Sequence, residues 1–273
     1  MKVFEMLNHI KKELAQVGIL DNAESEWLLA LALNVKRNSL RTLTELSVSQ
    51  VENVEKALEK RKNHIPLSYI FEESEFYGFK FKVNENVLIP RPETEELVEL
   101  ILKNAEDNMS ILDIGTGSGA IAITLAKKTQ AKVTAIDISK EALKIASENA
   151  KNNGANVEFI HSDLFQNLKG RKFDIIVSNP PYISEEEYSQ LMPEVKNFEP
   201  KLALVCGEDG YAIYRKIIEK APLFLNKNGK IYFEIGYKQA DKIAEMLEKN
   251  FKDIVVKKDL QGLDRMVYAT IKE

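Results

Sequence analysis

The sequence predicts an α/β protein, a seven-stranded and mostly parallel sheet covered by helices on both faces, preceded by a small helical domain. Three observations carry this. Beyond residue 109, short apolar, β-branched runs alternate with stretches of helical period. A glycine-rich loop follows the first of these runs, at Gly115-Thr116-Gly117-Ser118-Gly119. Residues 1 to about 70 carry helical periodicity and no such strands.

Within 1–70, Val3, Leu7, Ile10, Leu14 and Val17 recur at helical spacing and mark a first helix that stops near Gly18. Asp21 is placed to cap a second helix through Trp27, Leu28, Leu31 and Ala32, with Trp27 expected in the core. Ser47 and Gln50 have the spacing of a capping box that opens a third helix. From 75 to 89 the period changes to two. Phe76, Tyr77, Phe79, Phe81 and Val83 precede the turn-like Asn84-Glu85-Asn86 and then Val87-Leu88-Ile89, which reads as a hairpin with Gly78 at a bulge or close approach. The expected organisation is thus a helical domain over 1–72, a linking hairpin over 73–90, and the sheet domain over 91–273.

Pro90-Arg91-Pro92-Glu93-Thr94 leads into a helix whose first turn accommodates Pro92; the X-Pro bonds hold this entry extended, which either presents Arg91, Glu93 and Thr94 to a neighbouring site or is ordinary helix entry. Strands are expected at 109–113, 132–137, 157–161, 173–178, 229–235, 253–258 and 265–271. Helices are expected at 118–128, 139–152, about 209–225 and 238–249. Only Asp259 to Asp264 join the last two strands, too few residues for a helical crossover, so the final strand should run antiparallel.

Composition narrows the function classes. The charged fraction of 29% and hydrophobic fraction of 44% are those of an ordinary globular protein. One cysteine, Cys206, and three scattered histidines, His9, His64 and His161, make a zinc cluster unexpected. Lys2, Glu5, Lys11 and Lys12 break up the amino terminus, leaving no apolar signal core. The longest apolar run, Trp27 to Leu33, is too short to span a bilayer. A cytoplasmic protein away from membranes, monomeric, is the expectation. Net charge is −4, and residues 1–70 balance ten Lys/Arg against nine Asp/Glu, so no basic domain marks a nucleic-acid partner.

The chemistry concentrates at strand ends. The glycines of 115–119 permit positive φ and a close backbone approach to a ligand, and the helix that follows presents free amides. Asp137 ends the next strand, 22 residues beyond Gly115, where a carboxylate can accept from ribose hydroxyls. Asp163 ends the third strand and can address an adenine edge, with Leu164 and Phe165 against its face. Gly115-x-Gly117-x-x-Ala120 also satisfies the dinucleotide fingerprint, so an NAD-dependent enzyme is carried as a rival.

Asn179-Pro180-Pro181-Tyr182, at the end of the run Phe173 to Ser178, tips the balance towards S-adenosyl-L-methionine. Two prolines fix two φ angles and remove two donors, giving a rigid rim. The Asn179 carbonyl and a free backbone carbonyl could hold a planar NH2 group, with Tyr182 as a flat face. The long segment from Ile183 to Gly207, including Glu185-Glu186-Glu187, reads either as a substrate-contacting lid or as a solvated face.

These strings resemble a known family. Asn179 to Tyr182 together with Gly115 to Gly119 resembles class I methyltransferases that act on planar nitrogens. Ile89 to Glu95, Asp113 to Ala120, Glu199-Pro200, Gly207 to Gly210 and Glu234-Ile235-Gly236 are similar to the PrmC/HemK family of peptide chain release factor N5-glutamine methyltransferases. The resemblance covers essentially the whole chain. It implies a class I S-adenosylmethionine-dependent (Rossmann-like) fold and methyl transfer to the glutamine amide of a Gly-Gly-Gln motif in release factors. A ribosomal-protein glutamine or a nucleic-acid base are the alternative acceptors. Leu164 stands where some members carry a tryptophan against the adenine; it keeps an apolar contact and loses stacking. Arg265 matches a family position and is expected in a structural ion pair. With no conventional base in view, catalysis is expected to rest on positioning and electrostatics through Asn179, the Pro180 carbonyl and Tyr182, with Pro181 completing the substrate rim and Asn179 also touching the cofactor.

Overall fold

The computed structural model describes residues 1–273. They divide into two compact units, Met1–Glu72 with Pro193–Phe198, and Glu73–Met192 with Glu199–Glu273.

The first unit contains α1 (Val3–Gln16), α2 (Asn22–Ala32), α3 (Val48–Lys62) and α4 (Leu67–Ile70), with a 3-10 stretch at Arg37–Thr42 and the short helix Pro193–Phe198. Asp21 caps α2 by accepting the Ala23 amide at 2.8 Å. Ser47 and Gln50 close the capping box of α3, at 3.2 and 2.9 Å. α1 buries Val3, Met6, Ile10 and Leu14, which pack with Leu28, Leu29, Val54 and Leu58. Arg61 is buried between Glu24 and Glu194, so two carboxylates compensate one desolvated guanidinium.

Trp27 departs from expectation. It is 45% exposed, with the Arg37 guanidinium 5.3 Å from its ring centre. Leu28 and Leu29 face inward on α2, and a step of about 100° per residue carries Trp27 nearly opposite their midpoint.

The second unit opens with the antiparallel hairpin β1 (Glu73–Phe76) and β2 (Phe79–Lys82). Its turn is Tyr77-Gly78, with φ of +52° and +75°, the two positive φ values of a type I′ turn. The turn therefore lies earlier than Asn84 to Asn86, and Val87 to Ile89 form no strand. Asn84 instead accepts the Asn86 amide on its side chain at 3.0 Å and the Val87 amide on its backbone at 3.1 Å. Gly78 serves φ alone, since an added Cβ would meet nothing within 4 Å.

There follow α5 (Pro92–Leu102), β3 (Ser110–Ile114), α6 (Ala120–Lys128), β4 (Lys132–Asp137), α7 (Lys140–Asn153), β5 (Val157–His161) and β6 (Phe173–Ser178). Three short helices, α8 (Glu185–Ser189), α9 (Pro193–Phe198) and α10 (Lys201–Leu204), occupy the long segment. The chain ends with α11 (Ala212–Lys220), β7 (Leu225–Glu234), α12 (Ala240–Leu247), β8 (Phe251–Lys258) and β9 (Asp264–Ile271).

The strand order is β5-β4-β3-β6-β7-β9-β8. The pairs β3–β4, β4–β5, β3–β6 and β6–β7 are parallel, while β9 lies antiparallel between β7 and β8. The short β8–β9 connection has the consequence anticipated for it. Apolar side chains on the two faces of the sheet pack beneath separate helical layers. The order reverses between β3 and β6, which opens a crevice at their carboxyl ends.

Candidate active site

The glycine loop leaves β3 and turns sharply into α6. The Gly115 and Thr116 amides both donate to the Ile136 carbonyl of the adjacent strand, at 2.9 and 3.0 Å. Thr116 donates its hydroxyl to the buried Asp113 at 2.6 Å, pinning the loop to its own strand. Burial, opposed by that hydrogen bond, pushes the Asp113 carboxyl up to about 7. Gly115 and Gly117 have φ of +73° and +55°, and a Cβ at either would project into open space. Gly119, at φ +84°, serves packing instead, since a Cβ there would lie 2.7 Å from Ile123 Cδ1 and 3.2 Å from Ala146 Cβ. The Asn149 amide donates to the Ser118 carbonyl at 2.9 Å and to the Lys82 carbonyl at 3.0 Å, tying loop to hairpin.

Asp137 closes β4 beside this loop. Its Oδ2 accepts the Gly117 amide and its Oδ1 the Ser139 amide, both at 2.9 Å. Burial raises its carboxyl, and these backbone donors oppose the rise. Asp163 and Leu164 follow β5, where Ser162 fixes the turn by donating to the Leu164 carbonyl at 2.6 Å. Phe165 turns inward and stacks on Phe224 at 4.5 Å, so it faces the core and offers no surface to a ligand.

The loops enclose a cavity of about 390 Å³. Gly115 to Ser118, Asp137, Asp163, Leu164 and Asn179 to Pro181 all border it. Volumes of roughly 300–1,000 Å³ suit a nucleoside-sized ligand. The only charged side chains on the wall are Glu85, Asp137, Asp163 and Arg91. Arg91 is already paired with the buried Glu199. The wall is therefore acidic overall, which fits a cationic sulfonium nucleoside better than a pyrophosphate, while the space beside Gly115 and Gly117 admits a ligand of either kind at backbone distance.

Asn179 follows β6 at the cavity wall, and its Nδ2 donates to the Thr94 hydroxyl at 3.3 Å. Thr94 in turn donates to Glu234 Oε2 at 2.7 Å. Glu234 is 2% exposed, and burial pushes its carboxyl up to about 7. The sequence places Thr94, with Arg91 and Glu93, on an extended helix-entry stretch that can face a neighbouring site without naming a partner for it, and shows Glu234 only inside a string of family resemblance. The pairing of α5 with the end of β7 supplies that partner.

Tyr182 does not border the cavity. It packs against the core, its carbonyl accepts the Gln239 amide at 3.1 Å, and a Cβ on Gly236 would come within 3.4 Å of its ring. Gly210, at φ +75°, passes so close that a Cβ would sit 2.5 Å from the Tyr182 carbonyl oxygen. Arg265 pairs with the buried Asp259 at 3.1 Å, the structural ion pair expected of it. Ser184 and Glu187 cap α8 reciprocally and Glu185 pairs with Lys201 at 2.9 Å, so two of the three glutamates have local tasks while all three stay exposed. No group of histidine, cysteine and acidic residues is arranged to hold a metal. No helix is long and apolar enough to cross a membrane.

Comparison with known proteins places this geometry. Residues 92–195 match the family model described as methyltransferase small domain, and residues 5–71 match the PrmC N-terminal domain. Among solved structures, a methyltransferase from Pyrococcus furiosus aligns with a TM-score of 0.54 at 21% identity, covering 71% of this chain and 89% of that one. The T. thermophilus 16S rRNA N2 G1207 methyltransferase, in complex with AdoMet and guanosine, aligns with a TM-score of 0.53 at 17% identity, covering 73% of this chain and 50% of that one. Both show the class I methyltransferase fold. The release factor glutamine methyltransferase of Streptococcus pneumoniae is 46% identical, covering 98% of each chain. The enzyme of the same name from Bacillus subtilis is 42% identical, also over 98% of each. With near-complete coverage at such identity, and the helical unit and the first part of the sheet domain each matching a model, the chain belongs to the release factor glutamine methyltransferase family.

Proposed function

We propose that this protein transfers the methyl group of S-adenosyl-L-methionine to the side-chain amide nitrogen (N5) of the glutamine in the Gly-Gly-Gln motif of peptide chain release factors. The observation that carries the reading is the Asn179-Pro180-Pro181 rim on the wall of an acidic, glycine-lined cavity. The relatives' names supply the substrate class. The cofactor contributes an electrophilic methyl on a sulfonium. Asp137 takes the ribose hydroxyls with the oxygen lone pairs its backbone donors leave free, Asp163 addresses the adenine edge, and Leu164 covers its face. Gly115 to Ser118 admit the remainder at backbone distance, while Gly119 holds the loop against α6 and α7.

An amide nitrogen is a weak nucleophile because its lone pair is delocalised. The Asn179 carbonyl and the Pro180 backbone carbonyl accept its two hydrogens, holding the nitrogen in line and favouring the positive charge that grows on it during attack. The nitrogen–methyl bond would form as the sulfur–methyl bond breaks with its electron pair kept on sulfur, and the methylated nitrogen then loses one of its two protons to solvent. Pro181 stiffens this rim. Tyr182, packed against the core away from the cavity, acts from behind by holding the rim through its contacts with Gly210 and Gln239, so its ring does not flank the glutamine as expected of it. The helical unit grips the release factor body, and its balanced charge suits a protein partner. The site of action is the cytoplasm, where release factors work.

Two measurements test the reading together. Calorimetry should show binding of S-adenosyl-L-methionine and none of NAD. Methyl-labelled cofactor should transfer label to an unmodified release factor, and not to ribosomal proteins or RNA. NAD binding, or label entering RNA in preference to the release factor, would overturn it.

A further inference from the structure

We propose that Glu234, acting through the Thr94 hydroxyl, orients the Asn179 side chain so that its carbonyl rather than its NH2 group faces the glutamine amide. This inference rests on the methyl-transfer reading above. Thr94 and Glu234 are positioning residues in it, for neither touches the substrate.

The three groups come from three separate elements. Thr94 lies in the first turn of α5, Asn179 follows β6, and Glu234 ends β7. Thr94 and Glu234 are both buried, and Asn179 is half-buried on the cavity wall. A threonine hydroxyl has one proton to give. Here it goes to Glu234 Oε2 at 2.7 Å, and the oxygen accepts from Asn179 Nδ2 at 3.3 Å.

The polarity of this chain follows from its far end. An ionised carboxylate only accepts hydrogen bonds, so the Thr94 proton must point to it. The hydroxyl oxygen then meets Asn179 purely as an acceptor, and only the NH2 side of the amide satisfies it. Oδ1 is thereby turned the other way. Were the amide reversed, its NH2 would confront the NH2 of the glutamine, donor against donor, and the acceptor that stabilises charge on the nitrogen would be lost. A protonated Glu234 removes the constraint. A carboxylic acid can donate to the Thr94 oxygen, which frees the hydroxyl proton for Asn179 Oδ1 and admits the reversed amide.

The surroundings put this change near neutrality. Burial pushes Glu234 up to about 7, with Glu93 of α5 adding to the rise; the hydrogen bond from Thr94, the charge of Arg265 of β9 and a weaker direct hydrogen bond from the Asn179 amide, which turns the same NH2 side inward, oppose it. Arg265 is itself shared with Asp259. From α11, Tyr214 donates its hydroxyl to the Glu234 backbone carbonyl at 2.7 Å and leaves the carboxylate to the groups just named. Turnover at saturating cofactor therefore falls as pH drops through this range; Asp113, raised to about 7 beneath the glycine loop, acts on cofactor binding and is separated from Glu234 by reading kcat at saturation.

The test compares wild type with Thr94→Val, Thr94→Ser and Glu234→Gln in steady-state methylation of a release factor between about pH 6 and 9, spanning the usual range of a raised carboxyl. Melting temperature and calorimetric affinity for S-adenosyl-L-methionine are recorded for each. Thr94→Val should lose about tenfold to a hundredfold in kcat with KM and cofactor affinity near wild type, and Thr94→Ser should recover most of it. Glu234→Gln should lower kcat and abolish its acid limb. The inference is overturned if Thr94→Val turns over at the wild-type rate, if a folded Thr94→Ser is no better than Thr94→Val, or if Glu234→Gln keeps the acid limb.

A second readout needs no turnover. Carbon-13 NMR titration of the Glu234 carboxyl should move to higher pH in Thr94→Val, because a hydrogen bond that favours the ionised form is gone. An unmoved midpoint overturns the relay. A wild-type enzyme that methylates no glutamine while this titration shifts as expected would sink the methyl-transfer reading and leave the relay standing.

Discussion

Asp137 Oδ2 accepts the Gly117 amide at 2.9 Å, so the acid that ends β4 is a structural member of the glycine loop that ends β3. Its other oxygen is held by Ser139 at the start of α7. The carboxylate is thus fixed in orientation before any ligand arrives, which lowers the entropic cost of binding a ribose.

Asp137→Ala should weaken S-adenosyl-L-methionine at least about tenfold, through the lost acceptor and a loosened loop. Calorimetry checks this. An affinity equal to wild type would remove Asp137 from the cofactor site.

The glycines of the loop separate into two kinds. Gly119→Ala puts a methyl 2.7 Å from Ile123 Cδ1 at a φ of +84°, so it should cost about 1–3 kcal/mol in a urea unfolding experiment. Gly117→Ala meets no atom within 4 Å and should cost only the strain of its positive φ, about 1 kcal/mol, while the new methyl occupies ligand space and cuts cofactor affinity. Equal stability losses in the two variants would contradict this division.

Glu234 should make the fold less stable as the solution is made more basic. Its folded pKa of about 7 lies above the 4.5 of an ordinary glutamate. The stability this group contributes is fully present below pH about 4.5 and is lost as pH rises through about 7. Glu234→Gln, which carries no charge, should therefore be more stable than wild type at pH 8 by about 3 kcal/mol in urea unfolding, and lose most of that advantage near pH 5. A variant less stable than wild type at pH 8 would show that the carboxylate is satisfied where it sits.

The pattern of strands and helices was legible because it is local. Periodicity, caps at Asp21 and Ser47, and a short β8–β9 link each act over a few residues. The glycine loop, Asp137, Asp163 and Asn179 were legible for a related reason, since each stands at the end of its own strand and the sheet brings strand ends together. Thr94 and Glu234 were not, being 140 residues apart and joined only by packing. Phe165 and Tyr182 sit in the expected loops, but the sequence could not show which way their rings turn. The hairpin misled because Asn84-Glu85-Asn86 offers ordinary turn residues, whereas the actual turn places a tyrosine at φ +52°, where aromatic side chains are uncommon.

The most direct test of the central claim is peptide mass spectrometry of a release factor incubated with this protein and methyl-labelled S-adenosyl-L-methionine. One added methyl on the Gly-Gly-Gln glutamine is expected. It should be absent when that glutamine is replaced by alanine, and formed about tenfold to a hundredfold more slowly by Asn179→Ala. A methyl found on another residue, or an Asn179→Ala enzyme as fast as wild type, would contradict the account.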